Sequence, residues 1–153
     1  MSSARGQANH ALYLARILIG AWRRDLDTQS VAAKTLASAY WPGVRNHLTN
    51  AYGWFLLEIT RPGGLPETPP QCLTELPEIV AGKAMPGEIR EFQRLEREGW
   101  IGAMLSAESD APQSSSMQNL AVAAAGADPE QAETWANLLQ QLFDRMGDSL
   151  DEY

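Results

Sequence analysis

Residues 4–26, ARGQANHALYLARILIGAWRRDL, decide the fold. Apolar side chains recur at Ala8, Ala11, Leu12, Ala15, Leu18, Ile19, Trp22 and Leu26. Steps of three and four are those of an α-helix that buries one stripe. Leu14, Ile17 and Ala21 form a second stripe on another face. A helix apolar on two sides is either central to a bundle or packs across an oligomer interface.

After this stretch, Asp27 or Thr28 is placed to cap a second helix, because a short side-chain oxygen satisfies the free N–H groups of a first turn. That helix runs to about Thr60. Pro42-Gly43 interrupts it, and proline both removes a backbone donor and crowds the preceding turn, so a kink or a break is expected there. Val44, Leu48, Tyr52, Phe55 and Ile59 continue as a core stripe. Residues 61–71, RPGGLPETPPQ, hold four prolines and two glycines, which predicts an extended loop. Leu73 to Gly82 reads as a short helix with Pro77 in its first turn. Pro86 then opens a longer helix to about Glu108. Its core side is Ile89, Phe92, Leu95, Trp100, Ile101, Met104 and Leu105, with Gly99 and Gly102 allowing a close crossing.

Residues 109–118, SDAPQSSSMQ, are polar and turn-rich and read as a flexible loop. The small apolar run 119–126 favours a short helix through its alanines. The last helix has the clearest start. Asp128 is the N-cap, Pro129 the first helical residue, and Gln131 stands where a capping-box partner belongs. Ala132, Trp135, Leu139, Leu142, Met146 and Leu150 form its stripe, widened by Ala136 and Phe143. No window alternates apolar and polar residues as a half-buried strand does. The expected fold is a single all-α domain over 1–153, an up-and-down bundle of four to five helices with one Pro-rich loop. At 153 residues such a chain buries roughly 70% of its unfolded surface, enough for a core without staples.

Composition excludes several function classes. The lone Cys72 rules out an intramolecular disulfide framework. Two histidines and one cysteine leave too few ligands for a structural zinc site, so no metal and no cofactor are expected. Glu-x-x-His, the unit of di-metal carboxylate bundles, is absent: Gln7 and Val44 stand three residues before His10 and His47. Neither GxxxxGK[ST], GxGxxG nor GxSxG occurs. Arg45 and His47 lie on different helix faces, unlike the arginine–histidine pairs of some bundle nucleases. Residues 1–9 are polar, and the apolar stretch 11–22 is shorter than the about 20 residues of a spanning helix. No leader or membrane span is expected, and the cytoplasm is the expected compartment.

Charge is uneven. Residues 1–61 carry seven basic and three acidic side chains, net +4, and residues 62–153 carry five and sixteen, net −11. Either this asymmetry marks an interaction surface or the halves neutralise each other within one fold. The overall −7 argues against non-specific nucleic-acid binding, because phosphates repel it.

Two candidate sites remain. His47, Ala51, Trp54 and Glu58 share a helical face. If the first two helices pack antiparallel, His10 approaches Glu58, giving a polar pocket for a small molecule at His10, His47, Trp54 and Glu58. The other is an interaction surface. Tyr40 and Trp41 beside Pro42 form an aromatic cluster that a break would expose, and Leu14 and Ile17 supply the second stripe of the first helix. The leading reading is a non-enzymatic helical interaction module that self-associates or binds a protein partner. The small-molecule bundle is the alternative. Cys72, entering a short helix, reads as an ordinary thiol.

The segments ANHALYLARILIGAW (8–22), VRNHLTNAYGWFLLEITRPGGLP (44–66), NLAVAA (119–124) and LLQQLFDRMGDSLDEY (138–153) resemble DUF6586, an uncharacterised bacterial family of small all-helical proteins found in gammaproteobacteria. Pro42-Gly43 departs from the uninterrupted second helix expected of that family. The resemblance implies a fold class and a bacterial host, with no assigned activity or functional residues.

Overall fold

The computed structural model describes residues 3–60, 66–75, 87–107 and 128–151. Among them the chain forms five α-helices and no strand: α1 (Ala4–Thr28), α2 (Ala33–Thr60), α3 (Gly87–Glu98), α4 (Trp100–Ser106) and α5 (Pro129–Asp151). A 3₁₀ turn spans Leu73–Glu75. The expected helix to Gly82 and the segments 109–118 and 119–126 fall wholly or mostly outside the described residues.

Local chemistry sets the ends. Ser3 caps α1 by accepting a hydrogen bond from the Gly6 N–H at 2.9 Å. Gln29 closes it in the left-handed conformation, φ 57°, with its N–H donating to the Leu26 carbonyl. Thr28 donates to the Asp25 carbonyl within the last turn of α1. Asp27 and Thr28 therefore finish the first helix instead of capping the second, which starts at Ala33. Asp128 caps α5 as read, accepting from the Gln131 N–H at 2.6 Å.

Pro42 neither breaks nor ends α2, which is continuous through it. Pro42 and Ser38, whose carbonyl loses its helical donor, both stand on the exposed side, where that carbonyl is open to water. The expected long third helix is instead divided. Gly99 is extended (φ −112°, ψ −164°) and caps α4, and a side chain on Gly102 would overlap the Glu96 carbonyl. The glycine pair lets α4 turn tightly against the end of α3.

Contacts give the topology. Arg5 reaches Gly147 and Arg23 pairs with Glu133, so α1 and α5 are antiparallel. Leu18 packs at Gly43 and Trp22 stacks on Tyr40, which makes α1 and α2 antiparallel. Phe92 meets Tyr52 and Phe55, while Leu105 and Ala107 accept from Arg45 and Trp41. The α3–α4 pair thus runs antiparallel to α2. The result is an up-and-down bundle of four legs whose third leg is broken at Gly99.

The core is continuous across the legs. Leu12, Trp22, Leu48, Tyr52, Phe55, Phe92, Ile101, Met104 and Leu139 are all fully buried. Phe55 stacks on Phe143 at 4.3 Å between ring centroids, and Trp41 meets Trp135 at 5.5 Å. On its other side α2 is covered by the Pro-rich loop, where the Pro70 carbonyl lies against the bare backbone of Gly53. No described helix is long and apolar enough to cross a membrane.

A methyl group at Gly53 would overlap Pro70 backbone, which has no rotamer with which to yield. Gly53→Ala is expected to cost about 1–3 kcal/mol, the range for overpacking a tight site. Urea denaturation checks this; a midpoint equal to that of the unsubstituted chain would remove the loop from the packed structure.

Candidate functional site

The polar set read from α2 lies along the α1–α2 seam, and its face is largely filled. Ala51 is fully buried and Trp54 is 7% exposed. Alanines Ala4, Ala8, Ala11 and Ala15 line the buried side of α1, which brings the helices close. The expected approach of His10 to Glu58 is replaced by another pairing. Arg5, five residues earlier on α1, holds the Glu58 carboxylate at 3.6 Å. His10 is exposed, and its electrostatic neighbour is the half-buried His47. Burial, then the nearby His10, pushes the His47 imidazole below its ordinary value. The two surface grooves described lie elsewhere. One flanks the α1–α2 turn, and the other, about 190 Å³, lies between Leu95, Trp100 and Leu142 beneath the Arg145–Glu91 ion pair.

Of the expected interaction surface, Tyr40 and Trp41 turn inward. Trp41 is 1% exposed, donates its indole N–H to the Ala107 carbonyl at 3.2 Å and packs on Trp135. The cause is the continuity of α2. With no break at Pro42, Trp41 stays on the stripe of Val44, Leu48, Tyr52 and Phe55, all buried. Tyr40 is half-buried, stacks on Trp22 and donates to the Asp25 carboxylate, which raises its own pKa.

Leu14 and Ile17 behave differently. Leu14 is half-buried and Ile17 is 49% exposed. Tyr13, one turn before Ile17 and outside both apolar stripes, is 61% exposed. Its position four residues from Ile17 was the available signal. Tyr13 and Ile17 occupy the outer side of α1, while Leu14 stands one turn before Leu18, which packs at Gly43 of α2. Arg5, Arg16 and Arg23 sit on another strip and reach α5 at Gly147, Asn137 and Glu133.

A second polar arrangement joins residues far apart in the sequence. The buried Tyr52 hydroxyl donates to Glu96 Oε2, and the Leu73 N–H donates to the same oxygen at 3.0 Å. Burial, then this carboxylate, raises the Tyr52 pKa strongly. Cys72 Sγ lies 3.7 Å from Glu75 Oε2 at the edge of this node. Tyr52, Leu73 and Glu96 tie α2, the 3₁₀ turn and α3 together. Residues 44 positions apart give no periodic signal, so spacing alone does not reveal the pair. Among the described residues, no three His, Cys, Asp or Glu side chains gather as a metal site.

Two measurements test this geometry. Tyr52→Phe removes a hydrogen bond to a charged acceptor, and about 1.5–3 kcal/mol should be lost; unchanged stability would mean that the hydroxyl is solvated instead. For His47, a folded pKa below the ordinary 6.5 means that the unfolded chain binds more protons. Folding stability should therefore fall as pH drops through 6.5 toward the folded value. In His47→Gln that part of the pH dependence should flatten, and identical pH profiles would refute the burial of the imidazole.

Comparison with curated proteins gives no match, and neither does comparison with solved structures. The family model described as "Family of unknown function (DUF6586)" matches residues 1–153. The chain belongs to this family over its whole length.

Proposed function

We propose that this protein is a non-enzymatic helical interaction module whose docking face is the outer side of α1. One observation carries the reading. Tyr13 and Ile17 are two of the three large apolar side chains exposed among the described residues, and they stand one turn apart on a single helix. Grouped exposed apolar side chains mark interaction sites, whereas scattered ones need no explanation. Tyrosine suits such a face, because it offers a large rigid contact at small entropic cost.

A photo-crosslinking benzoylphenylalanine at Tyr13 tests the face directly, with the same group at the exposed Asp144 of α5 as reference. Adducts formed in cells of the source, to any protein including a second copy, should appear at Tyr13 and not at Asp144. No adduct at Tyr13 above the Asp144 level would overturn the reading.

A further inference from the structure

The occupant of this face follows from its own pattern, given the docking role proposed above for α1. We infer that it is a second copy of the chain, with α1 packed antiparallel on α1 about a two-fold axis between Ala15 and Arg16.

Four features point to this arrangement. First, His10, Leu14, Ile17, Ala21 and Arg24 are spaced four, three, four and three along α1. They lie opposite the buried Ala8, Leu12, Ala15, Ile19 and Trp22. That is two heptads of a helix-pair seam, on the flank of α1 beside its contact with α2, where His10 has His47 as its neighbour. Leu14 and Ala21 are half-buried and Ile17 is exposed, so the seam is open where a knob would enter.

Second, the seam matches itself in one orientation. An antiparallel pairing sets Leu14 against the second copy's Ile17 and His10 against its Ala21. Arg24 then meets Gln7, an uncharged side chain. A parallel in-register pairing would set Arg24 against Arg24, and like charges directly opposed are unfavourable.

Third, size is complementary on the flank. Tyr13 and Gly20 lie on the same side of the seam. A Cβ at Gly20 would meet only the Arg24 guanidinium, at 3.7 Å, so the surface there is open. The two-fold axis carries each Tyr13 ring to within about 3 Å, along the helix, of the other copy's Gly20. Large residue and gap are thus exchanged reciprocally, as an isologous interface requires.

Fourth, charge permits it. Arg16 is the one charged residue between Gln7 and Trp22, and it is turned to Asn137 and the Ala136 carbonyl on α5. Within the seam Arg24 is the one charged side chain, and two chains of net charge −7 repel least on such a strip.

One seam buries less than the roughly 800 Å² per partner of a standard interface, so association belongs at roughly 10–100 µM. Sedimentation of the purified chain at about 200 µM should give a dimer. Ile17→Glu should return it to monomer with an unchanged helical melt, since Ile17 lies outside the core. Orientation is read with spin labels in a Cys72→Ser background. Labels at Asn9→Cys should lie about 20 Å apart between copies and at Asp27→Cys about 35 Å, from 1.5 Å of rise per residue on each side of the axis. Equal, short distances at both positions would overturn the antiparallel seam. A chain that stays monomeric at about 200 µM while Tyr13 still crosslinks a different protein would overturn the second copy and leave the docking role intact. Monomer together with no crosslink would overturn both.

Discussion

From Ala51 to Leu57, seven consecutive residues of α2 are buried. A helix apolar on every side has no face to offer water and must be covered all round. The rest of the bundle answers that demand. On one side the alanine-lined stripe of α1 covers α2 closely. Phe143 and Trp135 of α5 close a second side, and Phe92, Ile101 and Met104 of α3 and α4 a third. The remaining strip, at Gly53, is left to the Pro70 backbone, which only a residue without a side chain accommodates.

Polar groups hold the legs in register around this axis. Arg5, Arg16 and Arg23 run along one strip of α1 and meet α5 at three levels, partly through main-chain carbonyls. The basic first part and the acidic second part of the chain are therefore in contact within one fold. The Arg23–Glu133 pair is exposed on both sides, and such surface pairs are worth at most about 1 kcal/mol. Its value is alignment more than stability. Tyr52 and Glu96 work differently, because Tyr52 is fully buried and its hydroxyl must find an acceptor.

Much of the architecture was legible beforehand. The stripes of α1 and α5, the Asp128–Gln131 cap and the core side chains of α3 and α4 follow from periodicity and capping, which act within a few residues. Features built by distant residues were not. Gly99 reads as a costly helical position until Glu96 is seen to crowd Gly102. Trp41 reads as exposed if Pro42 breaks the helix, and as core if solvent supplies the lost bond. The pocket expected at His10, His47, Trp54 and Glu58 needs His10 to reach Glu58 across two helices, and there Arg5 takes Glu58 and α1 packs close on α2.

An all-helical chain, the starts of its first, third and last legs, and the apolar stripes of its helices are thus written in local spacing. Those properties depend on the 3.6-residue repeat and on side chains reaching their own first turn. Only the tertiary structure decided that the third leg divides, that the tryptophan beside the proline lies inside, and that one apolar strip of α1 stays uncovered. Each depends on which surfaces meet, and a local pattern records that a face is apolar without recording what lies against it.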